Sequence, residues 1–253
     1  MDPIKHLPAP DQRDFEVYPL FLQCLGLFVR HLPLFVGLNL PVVILSSLCL
    51  YLGAPTLADA DPQTRHPFAI PPNEWLALAG SLLIVFSFGL WAAAAIYRAA
   101  DDALAGSPVP GFRAAYSWAV ERVPALLGAE LLYILAVMVG TVFCFVPGIW
   151  LGVMLVPALP RAATRDVGPM TALRDARDLV AGRWWRVAGF GVLVAVTILA
   201  IYAPYSFLNV ALPHGNPGAL LVRALANVFA AALITPFQAC AYTALHRRLE
   251  ETA

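Results

Sequence analysis

Apolar residues in this chain recur in runs of about 20, the length that a helix needs to cross the roughly 30 Å hydrocarbon core of a bilayer. The runs show no two-residue alternation, which excludes the strands of a membrane barrel. We read helical spans at residues 32–51, 75–97, 125–145, 148–159, 187–208 and 220–245. The pattern predicts an all-α polytopic membrane helical bundle of about six spans. We treat residues 1–253 as one membrane domain, with an N-terminal segment (1–31), the bundle (32–245) and a tail (246–253).

The apolar stretch that contains the third and fourth spans is interrupted by Val146-Pro147-Gly148. Proline and glycine together are typical of a turn that breaks a helix and reverses the chain. The stretch is therefore a hairpin, either two full spans or a re-entrant pair. Both alternatives return the chain to the side that it left, so the remaining topology does not depend on the choice.

Composition supports a lipid-facing surface and excludes several classes of protein. Hydrophobic residues make up 60% and charged residues 13% of the chain, and the mean hydropathy is +0.73. Soluble domains carry about a quarter charged residues. The formal net charge of zero gives no electrostatic reason to expect a nucleic-acid partner.

The placement of basic residues predicts the orientation of the spans. Loops on the cytoplasmic side of a membrane retain lysine and arginine. With the N-terminus in the cytoplasm, all basic residues except Arg65 and Arg223 fall on the cytoplasmic side. We therefore expect a multi-pass protein of the bacterial cytoplasmic (inner) membrane with both termini in the cytoplasm.

Three segments on the cytoplasmic side have the character of helices that lie in the membrane interface: 15–33, 112–124 and 169–186. Each combines an amphipathic stretch with basic or aromatic residues and then leads into a span. The sequence thus predicts a threefold repeat, in which an in-plane helix is followed by a two-helix hairpin.

The third segment ends in Arg183-Trp184-Trp185-Arg186. Tryptophan prefers the headgroup layer, and arginine binds lipid phosphates, so this cluster is a candidate lipid-binding site. Arg223 is a second candidate, because it lies in the outer part of the sixth span and needs either a lipid phosphate or an acid of the first outer loop. The structural alternative for these residues is that they fix the depth of the spans.

Glu130 is a charged residue inside a predicted span, and such residues are functional candidates by default. Asn39, Asn227 and Gln238 are polar residues of the first and sixth spans that should face other helices. Together the four residues predict a transport pathway. The alternative is a set of side chains that pack and hydrogen-bond between helices.

Three short motifs resemble the bacterial glycerophosphoryl diester phosphodiesterase membrane domain family and related polytopic inner-membrane proteins. Residues 146–150 read Val-Pro-Gly-Ile-Trp, 172–174 read Ala-Leu-Arg, and 182–186 read Gly-Arg-Trp-Trp-Arg. Ala176 and Arg177 stand where the family has serine and tryptophan. The resemblance implies an envelope-associated or lipid-associated membrane module. It does not imply hydrolysis, because no segment outside the spans is large enough for the catalytic domain.

The sequence contains none of the familiar catalytic motifs for acyl transfer, nucleotide binding or metal-dependent proteolysis. It also has no Cys-x-x-Cys and no histidine pair with metal-ligand spacing, so we expect no metal and no cofactor. The leading hypothesis is a non-enzymatic membrane protein whose partners are membrane lipids and possibly another envelope protein. The alternative is a small transporter or channel, and an intramembrane enzyme comes third.

Overall fold

A computed structural model describes residues 16–58, 72–212 and 217–253 of the chain. All regular structure in these three ranges is α-helical. The helices are α1 (Val17–Arg30), α2 (Leu32–Ala58), α3 (Pro72–Leu104), α4 (Phe112–Phe143), α5 (Phe145–Leu155), α6 (Ala158–Thr164), α7 (Pro169–Val180), α8 (Trp184–Ala211) and α9 (Pro217–Glu251).

Among the described residues, five stretches of helix are long and apolar enough to cross a membrane. They are Leu83–Leu104, Phe112–Phe143, Phe145–Thr164, Trp184–Ala211 and Leu221–Glu251. The bent pair formed by α1 and the first part of α2 raises the number to six. The chain is therefore an all-α, polytopic helical membrane protein, as the hydrophobic pattern predicts.

The first interfacial segment forms a helix of its own. α1 and α2 meet at His31 with a bend of 75°. Pro33 lies in the first turn of α2, where its missing N–H leaves no helix hydrogen bond unmade. The same proline would interrupt a continuous helix running from α1 into α2. α1 buries Leu20, Cys24 and Phe28 at helical spacing and leaves Tyr18 exposed, as an amphipathic helix at a surface should.

The second predicted interfacial segment is not a separate helix. Residues 112–124 are the first part of α4, which continues through Pro124 to Phe143. This part of α4 is amphipathic, as predicted, because Ala115 and Ala119 are buried while Arg113 is exposed. The expectation that an in-plane helix precedes every hairpin is thus wrong for the second unit. Proline is tolerated within a membrane helix because its neighbours satisfy the freed carbonyl.

The third interfacial segment forms α7, which is amphipathic. Ala172, Ala176 and Val180 are buried one turn apart, whereas Arg174 and Asp178 are exposed. The chain then passes through Gly182, whose φ of +80° favours glycine, and enters α8.

The hairpin between α4 and α5 turns at a single residue, Cys144, which has extended backbone angles (φ −169°, ψ 141°). The predicted turn residues Val146-Pro147-Gly148 instead lie in the first turn of α5, where proline fits without strain. The two helices approach closely at glycines. A Cβ atom on Gly140 would lie 3.0 Å from the Cα atom of Gly148.

α9 is the central helix of the bundle, since it contacts α1, α2, α3 and α8. Phe237 of α9 meets Phe28 and Phe21 of α1 edge-on, with ring centroids 5.5 and 6.4 Å apart. The next turns of α9 are rich in buried alanine over 239–245, as helices that approach closely require. This packing places the start of α1 beside the last turns of α9, since Glu16, Pro19 and Arg248 line one shared pocket.

Candidate functional site

Charged side chains of α6, α7 and α9 form a network at one end of the bundle. Arg161 Nε donates to Oδ2 of Asp175 at 2.7 Å, and its Nη1 donates to Oε1 of Glu250 at 2.7 Å. Arg165 Nη2 donates to Oε2 of the same glutamate at 2.8 Å. We call these four residues the basic-end network, and the end of the bundle that holds them the basic end. Arg161 thereby joins α6 to its neighbour α7 and to α9, which is distant in the sequence.

Arg165 gains a charge-assisted hydrogen bond in this geometry. The side-chain hydrogen bond to Glu250 raises the pKa of the Arg165 guanidinium, against the opposing effect of partial burial. Both oxygens of Glu250 accept a hydrogen bond from arginine. Arg122 of α4 reaches the same loop, donating to Asp166 Oδ1 at 2.6 Å.

His246 lies beneath the network and is 1% exposed. Its Nε2 is 3.5 Å from Oε1 of Glu250, without the alignment of a hydrogen bond. Both ring nitrogens lack a hydrogen-bond partner among the described residues. A buried imidazole in this state is held by packing rather than by polar contacts.

Asp101 and Asp102, the adjacent acids at the end of α3, each contact an arginine. Arg247 Nη1 donates to the carbonyl oxygen of Asp101 at 2.7 Å and lies 3.4 Å from its carboxylate. Asp102 pairs with Arg98, one turn earlier on α3, at 2.8 Å. These contacts tie the C-terminal end of α3 to α9, and the two acids serve as partners for arginine.

The Arg183-Trp184-Trp185-Arg186 cluster divides into an internal and an external part. Arg183 donates from Nη1 to Thr252 Oγ1 and from Nη2 to the Thr252 carbonyl, both at 2.6 Å. Trp184 Nε1 donates to the carbonyl oxygen of Trp150 on α5 at 3.2 Å. Trp185 is 83% exposed, and Arg186 is partly exposed.

The outer face of α7 is basic. Arg174 and Arg177 are exposed, and neither has an ion-pair partner in the described part of the chain. The opposite face is buried against α6 and α4. α7 therefore presents free guanidinium groups on the helix that precedes the exposed Trp185.

Arg223 has an internal partner. Its Nη2 donates to the carbonyl oxygen of Leu212, the residue that ends α8. The last carbonyls of a helix lack intrahelical donors, and a cation is favourable there. Arg223 thus caps α8. The sequence offers three acids of the first outer loop as partners, Asp59, Asp61 and Glu74; Asp59 and Asp61 lie outside the described residues, as does the side chain of Glu74.

Glu130 is half-buried on α4 and lies among three tyrosines. It is close enough to interact electrostatically with Tyr97 of α3, Tyr133 of α4 and Tyr242 of α9. Gln238 of α9 donates to the Tyr242 hydroxyl at 2.9 Å. Two of the four predicted pathway residues, Glu130 and Gln238, therefore belong to one polar cluster inside the bundle.

The other two predicted pathway residues lie outside this cluster. Asn39 is 2% exposed, and its Nδ2 donates to the carbonyl oxygen of Ala231 at 3.0 Å, which links α2 to α9. Asn227 is half-buried further along α9. Within the ranges that the structure describes, no three His, Cys, Asp or Glu side chains are grouped as metal ligands would be.

The basic-end network was missed by sequence reasoning. Arg161 and Glu250 are separated by most of the second half of the chain, and each reads on its own as a solvated charge. The signal that could have found them is the excess of arginine at the ends of apolar segments. Arginines that are partly buried there need acidic side chains close by.

The helices and these sites define the class of the molecule as a multi-pass helical membrane protein with a charged, ion-paired end. No protein-family model, no curated protein and no solved structure matches the chain.

Proposed function

We propose that this chain is a non-enzymatic membrane module that binds anionic lipid headgroups at its basic end, as part of an envelope-associated role. The membrane is the bacterial inner membrane, and the basic end faces the cytoplasm. The observation that carries the proposal is the surface formed by α7 and the start of α8, where Arg174, Arg177 and Trp185 are all exposed.

Two features of this surface favour lipid over solvent as its partner. An indole that is 83% exposed at the first turn of a membrane helix suits the headgroup layer, where its apolar ring and its N–H are both satisfied. The free arginines of α7 can each grip a phosphate with two parallel hydrogen bonds. Arg183 has a different role, because its guanidinium is already occupied by Thr252.

The test is competition between lipids for the purified protein. Protein in mild detergent is mixed with equal amounts of phosphatidylglycerol and phosphatidylcholine, and native mass spectrometry counts the lipids that it retains. The wild type should prefer phosphatidylglycerol, and the combined variant Arg174→Gln/Arg177→Gln should lose that preference. Arg174→Lys/Arg177→Lys keeps the positive charges but cannot form the two parallel hydrogen bonds to a phosphate, and it should show an intermediate preference for phosphatidylglycerol.

A matched control removes the same charge elsewhere. Arg30→Gln/Arg113→Gln changes two exposed arginines on α1 and α4, and it should keep the preference for phosphatidylglycerol. If retention is the same in the wild type and in the α7 glutamine variant, α7 is not a headgroup site and the proposal is wrong.

A second candidate function is transport of a proton or small cation, and the cluster around Glu130 favours it. A carboxylic acid that shares its surroundings with three tyrosines and a glutamine provides exchangeable protons inside an apolar bundle. In liposomes with a trapped pH indicator, wild-type protein should then carry a flux that Glu130→Gln abolishes while its helical circular dichroism is unchanged. A flux equal to that of protein-free liposomes would remove this candidate.

A further inference from the structure

The tip of the α4–α5 hairpin is an exposed apolar surface. Val142 and Phe143 are 80% and 85% exposed, and Phe145 and Val146 are each 69% exposed. No charged residue occurs from 131 to 160, so neither the tip nor the apolar parts of the two arms carry a charged side chain that water could solvate. A hairpin that emerged into water on the far side would place four large apolar side chains there.

The descending arm of the hairpin limits how deep the tip can reach. The arm runs from Phe145 to Arg161, which spans about 24 Å at roughly 1.5 Å per residue. Arg161 is bound by Asp175 and Glu250, so it cannot extend along the helix to gain depth. The arm is shorter than the roughly 30 Å of the hydrocarbon core, and any tilt shortens its reach further.

The ascending arm gives an independent measure of the same depth. A Cβ atom on Gly128 of α4 would lie 2.5 Å from Cγ of Pro169, so Gly128 is level with the start of the amphipathic helix α7. From Gly128 to Phe143 the helix rises about 22 Å. Measured from the anchors Arg161 and Gly128 rather than over the full helices, both arms end short of the far boundary, whereas the 28 residues of α8 extend about 42 Å.

We propose that the α4–α5 hairpin is re-entrant and that its tip docks among the lipid acyl chains of the leaflet opposite the basic end. This surface is distinct from the headgroup site proposed on α7, and it takes the hydrocarbon part of the lipid. The chain then crosses the membrane fully with α2, α3, α8 and α9.

Several polar groups of the turn are paired within the hairpin. The Cys144 N–H donates to the Gly140 carbonyl at 3.1 Å, and Pro147 has no N–H to leave unpaired in the first turn of α5. The Thr141 hydroxyl donates to the carbonyl of Val137 on its own helix at 2.8 Å. The tip thus offers no free hydroxyl to a protein partner, which favours acyl chains over a second copy as its occupant.

Cys144 supplies a natural probe at the tip, because it is exposed while Cys24 and Cys240 are buried. The protein is labelled with a nitroxide in detergent, in a Cys49→Ser background, and returned to phospholipid vesicles. Electron paramagnetic resonance power saturation then measures collisions with oxygen, which concentrates in hydrocarbon, and with a water-soluble nickel chelate. At Cys144 we expect high oxygen accessibility and almost no nickel accessibility.

Two controls define the scale. Ser107→Cys in a Cys144→Ser background lies in the exposed turn after α3 and should show the reverse pattern. Cys144→Ser in the same Cys49→Ser background should carry no label, which verifies that the buried Cys24 and Cys240 do not react. Nickel accessibility at Cys144 that equals that at residue 107 would place the tip in water and overturn the proposal. Low accessibility to both reagents would mean that a protein covers the tip, and this also overturns it.

A charge introduced at the tip provides a second measurement. Val146→Asp should lower the thermal midpoint of the protein in vesicles, since the carboxylate would lie in hydrocarbon. Ala105→Asp, in the exposed turn after α3, should leave it unchanged. Equal midpoints for the two variants would contradict a lipid-embedded tip.

Discussion

Replacing Arg161 by methionine should destabilise the bundle more than the loss of any exposed arginine. Methionine keeps most of the packing of the aliphatic stem and removes the guanidinium. The change breaks the links from α6 to Asp175 on α7 and to Glu250 on α9. Glu250 keeps Arg165 as a partner, so it is not left as an unpaired charge.

The magnitude follows from the exposure of the groups. Hydrogen bonds to charged groups contribute about 1.5–3 kcal/mol when buried, and surface ion pairs contribute about 0–1 kcal/mol. The side chains of the two Arg161 pairs are 21–31% exposed, so each pair falls between these limits. We expect a loss of about 2–3 kcal/mol for Arg161→Met, from two contacts of about 1–1.5 kcal/mol each.

The assay is reversible unfolding in mixed micelles, followed by tryptophan fluorescence. The matched control is Arg248→Met, which breaks an exposed pair with Glu251 whose side chains are 46% and 56% exposed. It should cost less than about 0.5 kcal/mol. A double-mutant cycle of Arg161→Met with Glu250→Gln should give a coupling free energy of about 1 kcal/mol or more.

Two patterns of unfolding free energy would contradict a stabilising role for the Arg161 contacts. If Arg161→Met and Arg248→Met cost the same within error, the three-helix link does not contribute to stability beyond a surface pair. A zero coupling with Glu250→Gln, in the presence of a large loss for Arg161→Met, would assign the loss to packing of the arginine stem.

Three further outcomes are expected. Gly148→Ala should destabilise the hairpin by about 1–3 kcal/mol, because the new Cβ would lie 2.1 Å from the Thr141 hydroxyl oxygen. The control Gly26→Ala should leave the stability unchanged, since a Cβ there would have no neighbour within 4 Å, and the thermal midpoints of the two variants are compared with that of the wild type. Asn39→Ala should cost about 1 kcal/mol in the micelle unfolding assay, since a bond to α9 inside the bundle is lost, and a larger loss would point to a cavity. A cysteine at Ser107 should resist a membrane-impermeant maleimide in intact cells, and labelling there would reverse the proposed orientation.

The hydrophobic pattern was sufficient for the helical bundle because length and apolar content decide which segments enter lipid. It could not locate helix ends, since the chain breaks at Cys144 rather than at Val146-Pro147-Gly148. Proline in the first turn of a helix and proline in a turn look alike in a sequence. For the same reason Pro124 was read as a boundary, although α4 passes through it.

The sequence identified candidate residues but not their partners. Arg223 is an exception to the predicted charge asymmetry, yet its partner is the Leu212 carbonyl oxygen. Every residue has a backbone carbonyl, so the sequence does not indicate which one binds Arg223. Arg183 was assigned to lipid because the nearby tryptophans suggested an interface, while Thr252 is brought to it only by the packing of α9. Contacts between distant segments depend on helix packing, which periodicity does not encode.

The packing of α1 on α9 has a consequence for biogenesis. α1 is made first and its partner is made last, because Phe28 rests on Phe237 near the end of the chain. Until α9 leaves the ribosome, the apolar face of α1 can be covered only by the membrane surface. A nascent chain that stops before α9 would also lack Glu250 and Thr252, and with them the anchors of Arg161 and Arg183. Truncated products therefore leave Arg165 and Arg183 without these partners and Arg161 with Asp175 alone, so these contacts of the basic end become complete only when α9 is complete.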